Sequence, residues 1–165
     1  MKKTVPVIGL AGYSGAGKTT FMEKLIAELK SRGYRTGVIK HTHHPVEFDR
    51  PGKDTWRHAR AGADTVVLAA PGGVALYRKF EREPAPEQVA AMIEGVDIIL
   101  VEGYKSGHWP KIEICNGRTT ERPEIPRDEL LAVVGGGPVS EKPCFGPDDA
   151  AGVADFIEGM FLKKR

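Results

Sequence analysis

Gly12-Tyr13-Ser14-Gly15-Ala16-Gly17-Lys18-Thr19 satisfies the phosphate-cradling pattern G-x-x-x-x-G-K-[ST] at every position. This spacing serves to pack an anion against bare backbone. Gly12, Gly15 and Gly17 admit conformations that a Cβ would forbid, so successive N–H groups can turn inward around a phosphate. Lys18 brings a mobile positive charge to the β- and γ-phosphates, and the Thr19 hydroxyl can ligate Mg²⁺. The segment from Gly12 to Thr20 is therefore expected to bind a nucleoside triphosphate.

Two carboxylates could complete such a site. Val96-Asp97-Ile98-Ile99-Leu100-Val101-Glu102-Gly103 is a near-continuous apolar run that ends in an acid and a glycine, the mark of a strand buried on both faces. Glu102 is expected to hold Mg²⁺ directly or through water, because a carboxylate withdrawn from water there needs a cation. Asp54 opens a short helical stretch towards Ala61. It has two compatible readings, an N-cap and a carboxylate that ligates Mg²⁺ or positions its water. Lys40 and His41 fall at the carboxyl end of a strand and are expected to reach the same nucleotide. The polar block from His41 to Arg60 carries four of the five histidines. It supports three readings: anion contact over the nucleotide, a site for Zn²⁺, Ni²⁺ or Cu²⁺, and a solvated loop.

The elements that must position these residues follow from periodicity. Val5 to Leu10 reads as a short buried strand before the loop. Thr20 to Lys30 reads as a helix after it, with apolar residues at 21, 22, 25, 26 and 29 and Gly33 as a stop. Tyr34 to His41 is a second strand, which makes a right-handed βαβ unit whose ligand lies beyond the carboxyl ends of the strands. Asp64–Ala70 and Val74–Phe80 are β-prone runs around Pro71-Gly72-Gly73 and predict a hairpin, so the sheet is expected to include antiparallel strands. Such a hairpin could pair with another subunit. Pro86 opens a helix that runs to Gly95. Lys111-Ile112-Glu113-Ile114-Cys115 alternates like a strand with one wet face. Arg118 to Asp128 is a polar loop, and Leu130 to Val134 a last strand before the turn Gly135-Gly136-Gly137-Pro138, which is placed near the base. Asp148 is expected to cap a final helix over Val153, Phe156, Ile157, Met160 and Phe161, with the basic tail Lys163-Lys164-Arg165 at its end.

Composition narrows the classes. A chain of 165 residues is expected to form one nucleotide-binding domain over 1–165. The formal net charge of +2 argues for neither nucleic acid nor a membrane surface, and no apolar run approaches the ~20 residues of a membrane span. Lys2-Lys3 and the apolar stretch behind them lead directly into the phosphate loop, so this segment is expected to be retained rather than cleaved. Cys115 and Cys144 make neither a disulfide framework nor a zinc pattern, which points to the reducing cytoplasm. The fold class expected is α/β, a three-layer phosphate-loop NTPase fold with a mostly parallel sheet and a β-hairpin excursion.

Three segments together resemble one family. They are the phosphate loop through Thr20, the block from Lys40-His41-Thr42-His43-His44 through Pro51-Gly52-Lys53-Asp54-Thr55-Trp56-Arg57-His58 to Ala61-Gly62-Ala63, and Asp97 to Tyr104-Lys105. The chain is similar, over most of its length, to the molybdopterin-guanine dinucleotide biosynthesis adapter proteins (protein B). The resemblance implies a homodimer that binds GTP with Mg²⁺ and is at most a slow GTPase. It would assist the molybdopterin guanylyltransferase, with molybdopterin or its guanine dinucleotide as further ligands. It also implies that Thr19, Asp54 and Glu102 share the metal, as the residues themselves suggest. The guanine-reading motif N-K-x-D is absent: Asn116 is followed by Gly117 and Arg118. GTP over ATP thus rests on the resemblance. No arginine is placed by motif as a finger, although Arg57 and Arg60 are candidates, so any hydrolysis is expected to be slow. Two other classes fit the phosphate side equally: a small-molecule kinase that uses ATP, and a nickel or zinc metallochaperone GTPase built on His41, His43 and His44.

Overall fold

The computed structural model describes residues 4–47, 49–104, 106–116, 123–136 and 141–162. Lys105, Gly117, part of the polar loop up to Asp128, Gly137-Pro138 and the basic tail lie outside the described residues. The elements in chain order are β1 (Val7–Ala11), α1 (Lys18–Ser31), β2 (Thr36–Lys40), α2 (Asp54–Arg60), β3 (Thr65–Ala70), β4 (Gly73–Arg78), α3 (Pro86–Ala91), β5 (Ile98–Glu102), β6 (Lys111–Ile114), β7 (Leu130–Val134), β8 (Cys144–Phe145) and α4 (Ala150–Phe161). They fall into two units, Met1–Thr42 with Pro86–Arg165, and His43–Ala85.

The first unit is built on a six-stranded sheet in the order β2-β5-β1-β6-β7-β8, and every pairing in it is parallel. Alternation along β5 explains the layers. Ile98 and Leu100 face one core with Leu25 and Leu29 of α1 and Val153 and Ile157 of α4. Ile99 and Val101 face a second core with Ile39 and Trp109, against which Val89 and Ile93 pack. A strand with apolar neighbours on both faces has no polar side to show, and all five residues of β5 are buried. On the second face the segment just past α3 comes close to β2: a Cβ on Gly37 would stand 2.7 Å from Ile93 Cγ2. Arg32, just past the end of α1, ties it to α4 through Asp155 at 2.6 Å and Glu158 at 2.8 Å.

The expected α/β class with a mostly parallel sheet is the architecture found, with differences of detail. Among the described residues antiparallel pairing is confined to β3–β4, which form a separate two-stranded sheet in the second unit. β6 has no wet face. Lys111 and Glu113 are buried along with Ile112 and Ile114, and on the Lys111 face the Gly107–Trp109 segment lies over the strand and accepts from the ammonium. Lys111 Nζ donates to Gly107 O at 2.7 Å and pairs with Glu129, which also accepts from His108 at 3.1 Å. The hydrogen bonds from Lys111 and then His108 hold the Glu129 carboxyl below the usual range. α3 ends at Ala91, short of Gly95. The cap of α4 is Asp149, whose carboxylate accepts from Gly152 N at 2.9 Å, and Asp148 stands one residue before it.

In the second unit, α2 packs against β3. The N-cap of α2 is Lys53, so Asp54 is its first helical residue rather than its cap. The Thr55 hydroxyl and the Arg50 N–H both donate to Asp49 and hold its carboxyl below the ordinary range. Val67, Val74 and Leu76 of the hairpin are exposed. Val67 faces Leu76 and Ala69 faces Val74 across the antiparallel register, so these four share one face of the ribbon.

Candidate functional site

The sheet order fixes where a ligand can sit. β1 is central, flanked by β5 and β6, and its carboxyl end releases the chain into the glycine-rich loop at the switch point of the sheet. Gly15 and Gly17 take φ of +76° and +93°, in the left-handed region that favours glycine. Gly17 is the N-cap of α1. It supplies no side-chain cap, and the first turn of the helix carries no acid. The first N–H groups of a 14-residue helix thus meet neither a capping side chain nor a repelling carboxylate, which is the local electrostatics of an anion site. A Cβ on Gly15 or Gly17 would meet nothing within 4 Å, so their conformation, rather than crowding, calls for glycine. Lys18 lies back over the loop, its Nζ donating to Gly12 O and Tyr13 O at 2.8 Å each. Tyr13, Ser14 and Thr20 are exposed around it, and Ala16 is buried beneath.

Register brings the other half of the site to the same end. Glu102 pairs with Leu10 across β1–β5 and with Lys40 across β2–β5. Its side chain is only 6% exposed, against 59% for Lys40, with which it forms an ion pair. Thr19 Oγ1 lies 3.2 Å from Glu102 Oε1 and 3.1 Å from Oε2. A threonine hydroxyl and a buried carboxylate therefore converge beside the phosphate loop with a lysine as counter-charge. This donor set of hydroxyl and carboxylate oxygens suits a hard cation such as Mg²⁺. His41 completes the strand end: its N–H donates to Glu102 O at 2.8 Å, and its ring stacks on Tyr104 at 4.0 Å between centroids. Gly103 makes this turn possible. Its φ is +106°, and a Cβ would stand 2.4 Å from His41 O.

Of the residues singled out by sequence, Gly12 to Thr20, Lys40, His41 and Glu102 meet in the first unit. Asp54 stands in the second unit on α2, exposed and 3.7 Å from Arg57. Arg60 lies over the Trp56 ring at 5.4 Å. Among the described residues no group of three or more His, Cys, Asp or Glu side chains comes together to hold a metal, so the histidine-based metal site gains no ligand set. Sequence reasoning did not single out Asn116 as a site residue, yet its amide donates to Gly15 O at 3.0 Å and braces the phosphate loop. Its place two residues past β6, at the carboxyl end of the sheet, was the available signal. Among the described residues no helix is long and apolar enough to cross a membrane.

A parallel sheet with helices on both faces and a glycine-rich loop between its central strand and α1 defines a phosphate-loop NTPase-like α/β protein. The solved MobB structures carry the same fold. That of Bacillus subtilis superposes with a TM-score of 0.73 at 23% identity, covering 94% of this chain and 98% of the other. The homologue from Bacillus stearothermophilus gives 0.64 at 22%, covering 96% and 99%. Residues 7–136 match the family described as molybdopterin guanine dinucleotide synthesis protein B, and the chain belongs to that family. The molybdopterin-guanine dinucleotide biosynthesis adapter protein of Haemophilus influenzae is 38% identical over 163 residues, covering 96% of this chain and 90% of the relative. That of Escherichia coli is 35% identical over 170 residues, covering 99% and 97%. Family membership assigns this protein to molybdenum cofactor biosynthesis.

Proposed function

We propose that this protein is a GTP-binding adapter that assists the guanylyltransferase joining GMP to molybdopterin. The carrying observation is the convergence of Thr19, Glu102 and the uncapped start of α1 on one loop. The loop amides would cradle the phosphates and Lys18 would leave its carbonyl partners to neutralise their charge. Thr19 and Glu102 would hold Mg²⁺, and Asp54 is the third metal residue that the family resemblance implies. Bound Mg²⁺ would offset phosphate charge and fix the phosphate oxygens. No covalent nucleophile is required, because phosphoryl chemistry of this kind is mostly positioning and electrostatics. Hydrolysis would be slow at most, with Arg57 and Arg60 the arginines nearest in role to a finger.

The same reading includes a homodimer formed through the exposed hairpin face of Val67, Ala69, Val74 and Leu76, and a cytoplasmic working compartment. Molybdopterin or its guanine dinucleotide would be a further ligand at the partner enzyme. Its test is reconstitution with a molybdopterin guanylyltransferase and GTP. Wild-type protein should raise guanine dinucleotide formation and Lys18→Ala should not. Equal stimulation by both would detach nucleotide binding from the adapter role, and no stimulation by either would sink the role itself.

A further inference from the structure

Against the outer side of the phosphate loop lies a cleft of about 360 Å³, within the roughly 300–1,000 Å³ typical of small-molecule sites. Gly15, Ala16, Gly17 and Thr20 form its near edge, so it is continuous with the phosphate cradle. Phe21, Ile114, Val134 and Pro147 give it apolar walls, Lys24 and Asn116 add polar groups, and among the described residues Asp148 is the one acid lining it. A cleft of this size and lining suits a mostly apolar body with polar edges, attached to a phosphate held in the loop.

Asp148 has a chemical character that decides which body. The helix cap of α4 is Asp149, whose carboxylate is committed to Gly152 N. Asp148 is not needed for that duty; its side chain is 82% exposed and meets Lys24 Nζ at 2.5 Å across the cleft mouth. A carboxylate only accepts hydrogen bonds. Guanine presents two adjacent donors on one edge, N1–H and the 2-amino group. Adenine presents an acceptor at N1, which a carboxylate would repel.

We propose that this cleft is the base subsite and that Asp148 is the residue selecting guanine, its two oxygens accepting from N1–H and the 2-amino group. The assignment rests on the nucleotide-binding reading above and supplies the base recognition that the absent N-K-x-D motif leaves unassigned. Asn116 acts beside it as a positioning residue, holding Gly15 O so that loop and cleft keep a fixed relation. Lys24 holds the carboxylate at the cleft mouth until the base arrives.

The test is equilibrium binding of GTP, ITP, ATP and XTP, each with Mg²⁺, to wild type, Asp148→Asn and Asp149→Asn. Wild type should prefer GTP, bind ITP less well for want of the 2-amino group, and bind ATP weakest. Asp148→Asn should lose GTP affinity by roughly 10- to 100-fold. It should also gain XTP, whose 2-carbonyl accepts from the new amide, and that gain would itself show a folded site. Asp149→Asn should lower the melting temperature through its lost cap and keep the GTP preference. Wild type binding GTP and ATP alike, or Asp148→Asn still preferring GTP with no gain of XTP, would overturn the subsite and leave nucleotide binding standing. Failure of wild type to bind any of the four would overturn both.

Discussion

Thr19 and Glu102, 83 residues apart in the chain, meet with the threonine hydroxyl 3.1 and 3.2 Å from the two carboxylate oxygens. The contact joins the first turn of α1 to the end of β5 and makes the carboxyl edge of the sheet a place where a buried negative charge has two neighbours, Thr19 and Lys40. Glu102→Gln keeps the shape and removes the charge. Lys40 is exposed enough to rehydrate, so folding should be retained. The expected outcome is that GTP affinity no longer rises when Mg²⁺ is added, a loss of about 10-fold or more in the metal-dependent part. Calorimetric titration with and without Mg²⁺ checks it, and an unchanged Mg²⁺ response would remove Glu102 from the metal site.

Gly103→Ala should harm the same strand end by a steric route. The added Cβ would lie 2.4 Å from His41 O at a φ of +106°, so either the backbone or the His41–Tyr104 stack must move. A cost of about 1–3 kcal/mol is expected from the strained conformation alone, or a fall of several degrees in melting temperature. Thermal unfolding followed by circular dichroism measures it.

Arg32→Ala removes the clamp between α1 and α4. Asp155 is largely in water and contributes little, whereas Glu158 is 14% exposed and loses its main counter-charge. The expected loss is about 1–2 kcal/mol, with nucleotide binding unchanged because the clamp lies at the far end of α1 from the loop. A drop in GTP affinity that exceeded the loss of folded protein would contradict this division.

Acid should weaken the fold through Glu129. Its carboxyl is held below the ordinary range by Lys111 and then His108, so the folded protein binds that proton less readily than the unfolded chain. The stabilisation is fully present above the unfolded value of about 4.3 and is lost as pH falls through the lower folded value. Glu129→Gln should flatten the melting-temperature profile below about pH 4. At neutral pH it should be more damaging than Arg32→Ala, because it leaves the buried Lys111 without its carboxylate.

The exposed hairpin face predicts an oligomer. Leu76→Asp, which places a charge between Val67 and Val74, should shift the protein to monomer in sedimentation velocity and leave the circular dichroism spectrum intact. A wild type that is already monomeric at tens of micromolar would remove the hairpin from this role.

Elements that carry their own periodicity or punctuation are legible in the chain before it folds. The phosphate loop, α1 with its apolar stripe, β5 as a doubly buried strand and the β3–β4 hairpin are local patterns, and local sterics and burial enforce them wherever the chain goes. Glu102 is legible in the same way, since an acid closing an apolar strand is a local anomaly. The relations between distant segments emerge with the packed fold. The parallel register sets Lys40 and Glu102 side by side. Lys111 and Glu113, which alternation alone had assigned to solvent, are buried, with the Gly107–Trp109 segment lying over Lys111. The packing of α4 gives the cap to Asp149 and leaves Asp148 at the cleft beside Lys24. Periodicity reports which face of a strand is apolar, but not which neighbours will cover the other face. That choice depends on which helices and loops pack over the sheet, a property of the whole fold.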